Sequence, residues 1–317
     1  MLSKHGYHTM VLDNLSYGHE EFVTSGVFII GDLAQKELID RLLSSYKIKA
    51  VMHFSAFAYV GESVENPSKY YHNNVINTIN LLDAMVRNDV KNFIFSSTCA
   101  TFGEPMYYPV DEKHPQKPIS PYGRTKLMIE QILKDYEQAY DLKHVILRYF
   151  NAAGADPEGD IGEDHNPETH LIPLVLDAAA GLRKEIKVFG NDYETKDGTC
   201  IRDYIHVNDL AEAHMLAMEW MLENNASNDF NLGNGDGFSV QDIIKVAAEV
   251  TGLPINSKVV ERREGDPARI VGSSEKARNV LGWEPQYNDI KSIVETAWKW
   301  HIKKNELKVE QVENAVI

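Results

Sequence analysis

A rhythm in the first half of the chain constrains the fold most: short β-branched runs alternate with longer amphipathic stretches. Strands are expected over residues 9–12, 27–30, 50–54, 92–96 and 144–149, and helices over 35–46, 67–88 and 121–140. The strand runs are almost continuously apolar, as strands are when helices cover both faces of a parallel sheet. The expected class is therefore α/β, a doubly wound parallel sheet of Rossmann-like type. After Tyr149 the rhythm breaks at NAAGADPEGDIGEDHNPETH, and helical patterns return over 171–181, 207–224 and 239–251. This divides the 317 residues into a dinucleotide-binding domain over 1–150 and a second, smaller substrate domain mainly over 151–317. Part of 203–225 is expected to pack back on the first domain. No linker separates the two, so they should share a cleft.

Composition narrows the partners. A formal net charge of −15 argues against a nucleic-acid surface. No apolar run approaches the roughly 20 residues of a membrane helix, and the first residues lack a signal-peptide core. A cytoplasmic protein without membrane contact is the expectation. The two cysteines, Cys99 and Cys200, have no His or Cys neighbours at metal-ligand spacing, so they read as reduced thiols and no metal site is expected.

In VLDN, Asp13 ends a strand, where a carboxylate can accept hydrogen bonds from the ribose of a dinucleotide. The full fingerprint also needs a preceding strand and a glycine-rich turn about 20 residues earlier, so that backbone N–H groups meet the pyrophosphate. Only twelve residues precede Asp13. The first strand and glycine turn are expected to be missing from the chain as written, through truncation or a misplaced start, and such a chain is expected to fold and to hold its dinucleotide poorly. The glycines of LGNGDGFSV do not replace them and read as a turn before the 239–251 helix. Asp32 and Leu33 end another strand and either flank an adenine or cap a helix. The run HFSAFAYVGES lies at the sheet's carboxyl edge, where open α/β sheets bind ligands.

Tyr122 and Lys126, in SPYGRTK, lie four residues apart at a helix start, so their side chains share a face. An ammonium so placed is expected to lower the phenol's pKa and ready it as a general base. Tyr287 and Lys291 share that spacing, so context must distinguish the pairs. Upstream of Tyr122, the strand NFIF runs into Ser96, Ser97 and Thr98, whose hydroxyls either share the proton or cap the following turn.

SSTCATFG, SPYGRTK, LRYFNAAGA, DGTCIRDYIHV and RREGDPA, in this order, resemble the extended short-chain dehydrogenase/reductase family and, within it, the UDP-glucose 4-epimerases. The resemblance runs from about His5 to His301. It implies Thr98, Tyr122 and Lys126 as the catalytic set, and NAD as cofactor, held by Asp13, Asn14, Asp32, Leu33, Phe54, Asn73 and Phe150. Substrate contacts would fall on Asn151, Leu171, Phe189, Arg202, Arg263 and Asp266, with Ile270 at the position that gates substrate size. Arg202 and Arg263 suit a pyrophosphate, Phe189 a uracil face and Asp266 a ribose. Taken alone, Arg202 also reads as an ion pair with Asp203, and Phe189 as core. The sequence departs from the family at Phe102, His170 and Ala58, none in the catalytic set.

The resemblance further implies a UDP-sugar substrate and a homodimer formed through the 67–88 and 121–140 helices. Oxidation at C4, rotation of the keto sugar and re-reduction would interconvert UDP-glucose and UDP-galactose. Another UDP-sugar epimerase is an alternative, as is a sugar-nucleotide dehydratase. The dehydratase commonly carries two acidic residues after the Thr of the SST motif, where this chain has Cys99 and Ala100. A truncated, non-catalytic nucleotide-sugar-binding protein is the third competitor.

Overall fold

The computed structural model describes residues 1–263 and 266–305. Glu264 and Gly265 of the RREGDPA motif lie outside the described residues. In the first lobe, β1 (Met10–Asp13) pairs in parallel with β2 (Val27–Ile30), and β3 (Val51–His53), β4 (Asn92–Thr98) and β5 (Lys143–Tyr149) form a separate parallel set. Helices α1 (Lys36–Ser45), α2 (Val60–Glu65), α3 (Pro67–Tyr70), α4 (Asn77–Arg87) and α5 (Pro121–Tyr140) intervene. The expected helix over 67–88 is present with a change of winding: Tyr71–Ile76 is a π-helical turn between α3 and α4. Such turns often accompany functional residues, and this one carries Asn73 and Asn74.

The second half supplies short strands β6 (Asn151–Ala153), β7 (Ile186–Phe189), β8 (Ile201–Arg202) and β9 (Tyr204–His206) around α6 (Leu171–Ala179). Then α7 (Val207–Asn224) leads to β10 (Asn228–Leu232), which hydrogen-bonds in parallel to β5. The four-stranded order is β10-β5-β4-β3. The return to the first lobe therefore includes a strand, beyond the 203–225 stretch expected from sequence. The remaining elements are β11 (Phe238–Ser239), α8 (Val240–Thr251), β12 (Ser257–Val260), β13 (Arg269–Ile270), α9 (Glu275–Leu281) and α10 (Ile290–Lys304).

Local chemistry explains the helix starts that matter most. Ser120 caps α5 by accepting from Gly123 N–H at 3.1 Å, and Pro121 occupies the first turn, where its missing N–H costs nothing. Ser239 and Asp242 form a reciprocal capping box on α8, which ends at Gly252 with φ of 70°.

One core cluster lies between the sheet and α7, built from Ile94, Val145, Leu147, Met221, Phe230 and Trp283. A second fills the substrate lobe around Val175, Ile243 and Trp298. A third packs α1, α4 and α5 on the opposite sheet face through Leu82, Phe93 and Leu133. No helix among the described residues is long and apolar enough to cross a membrane.

Candidate active site

The C-terminal end of β4 and the first turn of α5 meet because Gly123 has no side chain. A Cβ there would stand 2.4 Å from the Ala100 carbonyl oxygen, so only glycine lets Tyr122 approach the 99–101 turn this closely. The three adjacent hydroxyls then separate by partner. Ser96 Oγ is 2.5 Å from the Tyr149 hydroxyl, and Ser97 Oγ donates to the buried Glu130 at 2.6 Å. Only Thr98 has its hydroxyl beside the Tyr122 phenol, while also accepting from Ala100 N–H at 3.1 Å.

The electrostatics correct one expectation. Burial pushes the Tyr122 phenol above its ordinary range, Tyr149 adds to the rise, and only Thr98 works against it. Lys126 is not among the groups that set this rise. Its ammonium reaches down to the strand and donates to the Ser96 carbonyl at 2.8 Å, 4.9 Å from the Phe95 ring centre. Burial drops the Lys126 pKa to about 7, against the pull of Glu130. The shared helix face was correct, but the lysine's length takes its charge to a backbone oxygen.

Six of the seven expected cofactor residues, Asp13, Asn14, Asp32, Leu33, Phe54 and Asn73, line one cavity between the ends of β1, β2 and β3. Asn14 Nδ2 donates to Asp32 at 2.6 Å, and Asp32 also accepts from Ala34 N–H at 2.7 Å. Asp32 thus turns the chain toward α1 and lines the cavity as well. Phe54 is 57% exposed, an unusual exposure for a phenyl ring at a strand end. A carboxylate for a ribose diol, amide donors and an open aromatic face fit the adenosine end of NAD. Phe150, the seventh, lies apart from that cavity, with its ring 7% exposed in the core and pressed against Gly272.

The residues expected to meet substrate lie among the strands and turns of the second half. Arg202 Nη2 bonds Asp266 at 3.3 Å, and its Nη1 donates to the carbonyls of Ile201 and Pro267. The Arg263 guanidinium stacks 3.9 Å from the centre of the Phe189 ring, and Asp266 N–H donates to the Arg263 carbonyl at 3.4 Å. Asn151 Nδ2 donates to Asp203 O at 2.7 Å. The Leu171 side chain packs on the second core, leaving its backbone at the start of α6. Ile270 is 7% exposed and packs within the first core cluster.

Asp203 does not pair with Arg202 either. Its buried carboxylate accepts from the N–H groups of Asn234, Gly235 and Gly272 at 3.0 to 3.2 Å. The LGNGDG turn is an anion nest after all, and its anion is a side chain of this protein. Gly235, at φ of 90°, supplies the left-handed backbone such a turn requires. Burial raises Asp203 to about 6, against the effect of those N–H groups.

Three structural contributors were missed in the sequence. Asn74, fully buried, exchanges hydrogen bonds with the backbone of Phe57 at 2.9 and 3.0 Å and donates to Thr125 Oγ1 at 3.2 Å, tying the cavity wall to α5. Glu130 and Arg148 form a buried two-pronged pair that also holds Ser97, Gln116 and Asp229. Only Glu130 left a signal, since a carboxylate four residues after Lys126 falls on the helix's inward face. Cys99 and Ala100 supply no carboxylate, and the nearby Glu130 and Asp203 are already engaged.

Comparison with known proteins agrees with this geometry. Residues 1–233 match the model of the NAD dependent epimerase/dehydratase family. The chain is 53% identical over 305 residues to the UDP-glucose 4-epimerase of Rhizobium meliloti, covering 96% of this chain and 93% of that one. A crystal structure of a UDP-glucose 4-epimerase superposes with a TM-score of 0.94 at 50% identity, over 96% of this chain and 93% of the other. The Brucella ovis enzyme in complex with NAD gives 0.91 at 48%, over 93% and 91%. Matched over most of its length by sequence and fold, the chain belongs to the NAD dependent epimerase/dehydratase family.

Proposed function

We propose that this protein interconverts UDP-glucose and UDP-galactose by inverting carbon 4 of the hexose. One observation carries the reading: Tyr122 stands beside Thr98 where β4 ends and α5 begins, and Asn74 ties α5 to the wall of the cavity that holds Asp13 and Asp32. NAD, when bound, supplies a reversible hydride acceptor for carbon 4. Asp13, Asn14, Asp32, Leu33, Phe54 and Asn73 are the residues that would hold it.

The chain's own groups handle the proton. With its pKa raised, the Tyr122 phenol rests protonated and is ready to donate to the oxygen on carbon 4, with Thr98 orienting it. Taking the proton in the oxidative direction needs positive charge near the phenol. Lys126, whose charge changes near neutrality, is the titratable group one helical turn away. Arg202 and Arg263 suit the diphosphate, and the Phe189 ring suits the uracil.

UDP-galactose incubated with the protein and saturating NAD should yield UDP-glucose on anion-exchange chromatography. Unchanged UDP-galactose would overturn the reading. A cytoplasmic role in galactose metabolism follows from that substrate pair. A homodimer through the helices around 67–88 and 121–140 is part of the same proposal, supported by the exposed Ile76 and Met128. Sedimentation at a monomer's mass would exclude it.

A further inference from the structure

The loop between β6 and α6 contains Glu163, His165, Glu168 and His170, with the spacing E-x-H-x-x-E-x-H. Each offers one ligand atom, and the four atoms all lie within 4.8 Å of one another. His165 Nδ1 is 3.1 Å from Glu163 Oε1 and 3.8 Å from Glu168 Oε2, and His170 Nδ1 meets the same Glu163 oxygen. We infer that these four side chains form a binding site for a divalent first-row transition metal, with Zn²⁺ the best fit.

The chemistry of the donors selects the ion. Two imidazole nitrogens and two carboxylate oxygens suit Zn²⁺ and its neighbours, whereas Ca²⁺ and Mg²⁺ take oxygen alone. A tetrahedral zinc site with bonds of about 2.0–2.1 Å places its ligands about 3.4 Å apart. The four donor atoms, all within 4.8 Å of one another, already lie close to that spacing. Two carboxylates and two neutral imidazoles carry the charge that balances a divalent cation.

A second observation also points to a ligand. His165 Nδ1 is closed to solvent and lacks a well-aligned hydrogen-bond partner, although it faces both carboxylates. A buried polar atom without a partner is costly, and a metal ion removes the cost. The surroundings hold the ligands in place. Glu168 Oε1 accepts the N–H groups of Thr169 and His170 at 2.7 and 2.8 Å, leaving Oε2 toward His165. Trp300 Nε1 donates to the Glu163 carbonyl at 3.0 Å, and the Tyr59 hydroxyl donates to the Pro167 carbonyl at 3.1 Å. Lys304 pairs with Asp164 at 2.5 Å. The loop is thus anchored to α10 and to the residue before α2, as a preorganised site requires. Without metal, a proton on His165 faces both carboxylates. That proton is the competitor the metal must displace.

The test is metal binding by the full-length protein after chelator treatment. Titration with Co²⁺ should give the intense visible bands of a tetrahedral site, and Zn²⁺ should bleach them at one equivalent per chain. The His165→Ala/His170→Ala double variant should lose about 100-fold or more in Zn²⁺ affinity, while His72→Ala, a histidine outside the cluster, should lose none. Hydrogen exchange of the native protein provides a check independent of folding in the variants: Zn²⁺ should slow exchange across 163–170. Absence of tetrahedral cobalt bands, equal affinity in the double variant, or unchanged exchange would each overturn the site and leave a proton-bridged His–Glu cluster. None of these readouts depends on epimerase activity.

Discussion

Two parallel strand pairs in the cofactor lobe differ sharply. β4 and β5 pair over seven residues, with nearly every side chain buried, and hold Ser97, Arg148 and the approach to Thr98. β1 and β2 pair over four residues, and none of their side chains is fully buried, yet they lead into Asp13 and Asp32. Among the described strands, β1 has only β2 as a neighbour and β3 only β4, while β4 and β5 are paired on both sides. The hydroxyls proposed for catalysis therefore stand on a densely buried strand pair, and Asp13 and Asp32 at the ends of a half-buried one.

Tyr122→Phe should break the comparison at its chemical end. We expect kcat to fall by about 10²–10⁴-fold with an unchanged thermal midpoint, and a variant retaining more than a tenth of the activity would remove Tyr122 from the mechanism. Glu130→Ala should break it at the structural end. Losing the buried two-pronged pair, which leaves Arg148 with Asp229 as its remaining carboxylate, costs about 3–5 kcal/mol, measurable by urea unfolding, whereas Val11→Ala in the half-buried β1 should cost about 1 kcal/mol or less. Equal losses would show that the two pairs are equally well supported.

Acid should sharpen the contrast further. Burial lowers His53 to about 3, and His206, His214 and His301 to about 4. These residues stay neutral when folded but take up protons when unfolded. Their contribution is present above about 6.5 and is lost as pH falls from there through 4 and 3, by up to about 1.4 kcal/mol per histidine per pH unit. His165, raised to about 10, works the other way, contributing fully below about 6.5 and losing its contribution as pH rises toward 10. The urea midpoint should therefore fall between pH 6.5 and 4, and a flat profile would refute the burial of these imidazoles. The smallest effect is expected at Asp13→Ala, which removes a charged acceptor and should weaken NAD binding by about 10- to 100-fold with little change in midpoint. Calorimetric titration would show whether NAD meets this carboxylate.

Much of this was legible in the chain. The helix over 121–140 begins at Pro121 because Ser and Pro are the residues that start helices, and the five strand runs lie within two residues of their expected ends. Asp13 and Asp32 were legible as carboxylates at strand ends because each follows an apolar run, whereas Phe54 was singled out only by the family resemblance. The burial of Phe150 and Ile270 was not legible, because a spacing does not say which face of a short element packs into the core. The role of Asn74 had no local signature, since its partners are 17 and 51 residues away.

By itself, then, the sequence determined the alternation of elements, the helix caps, the ordered motifs and the shared face of Tyr122 and Lys126, all properties of neighbouring residues. Tertiary structure decided which of three adjacent hydroxyls faces the phenol, where the Lys126 ammonium ends, and that the LGNGDG turn binds Asp203. It also brought Glu163, His165, Glu168 and His170 to one point. Those outcomes depend on burial and on partners distant in the chain, and neither a periodicity nor a spacing records which groups close packing brings together.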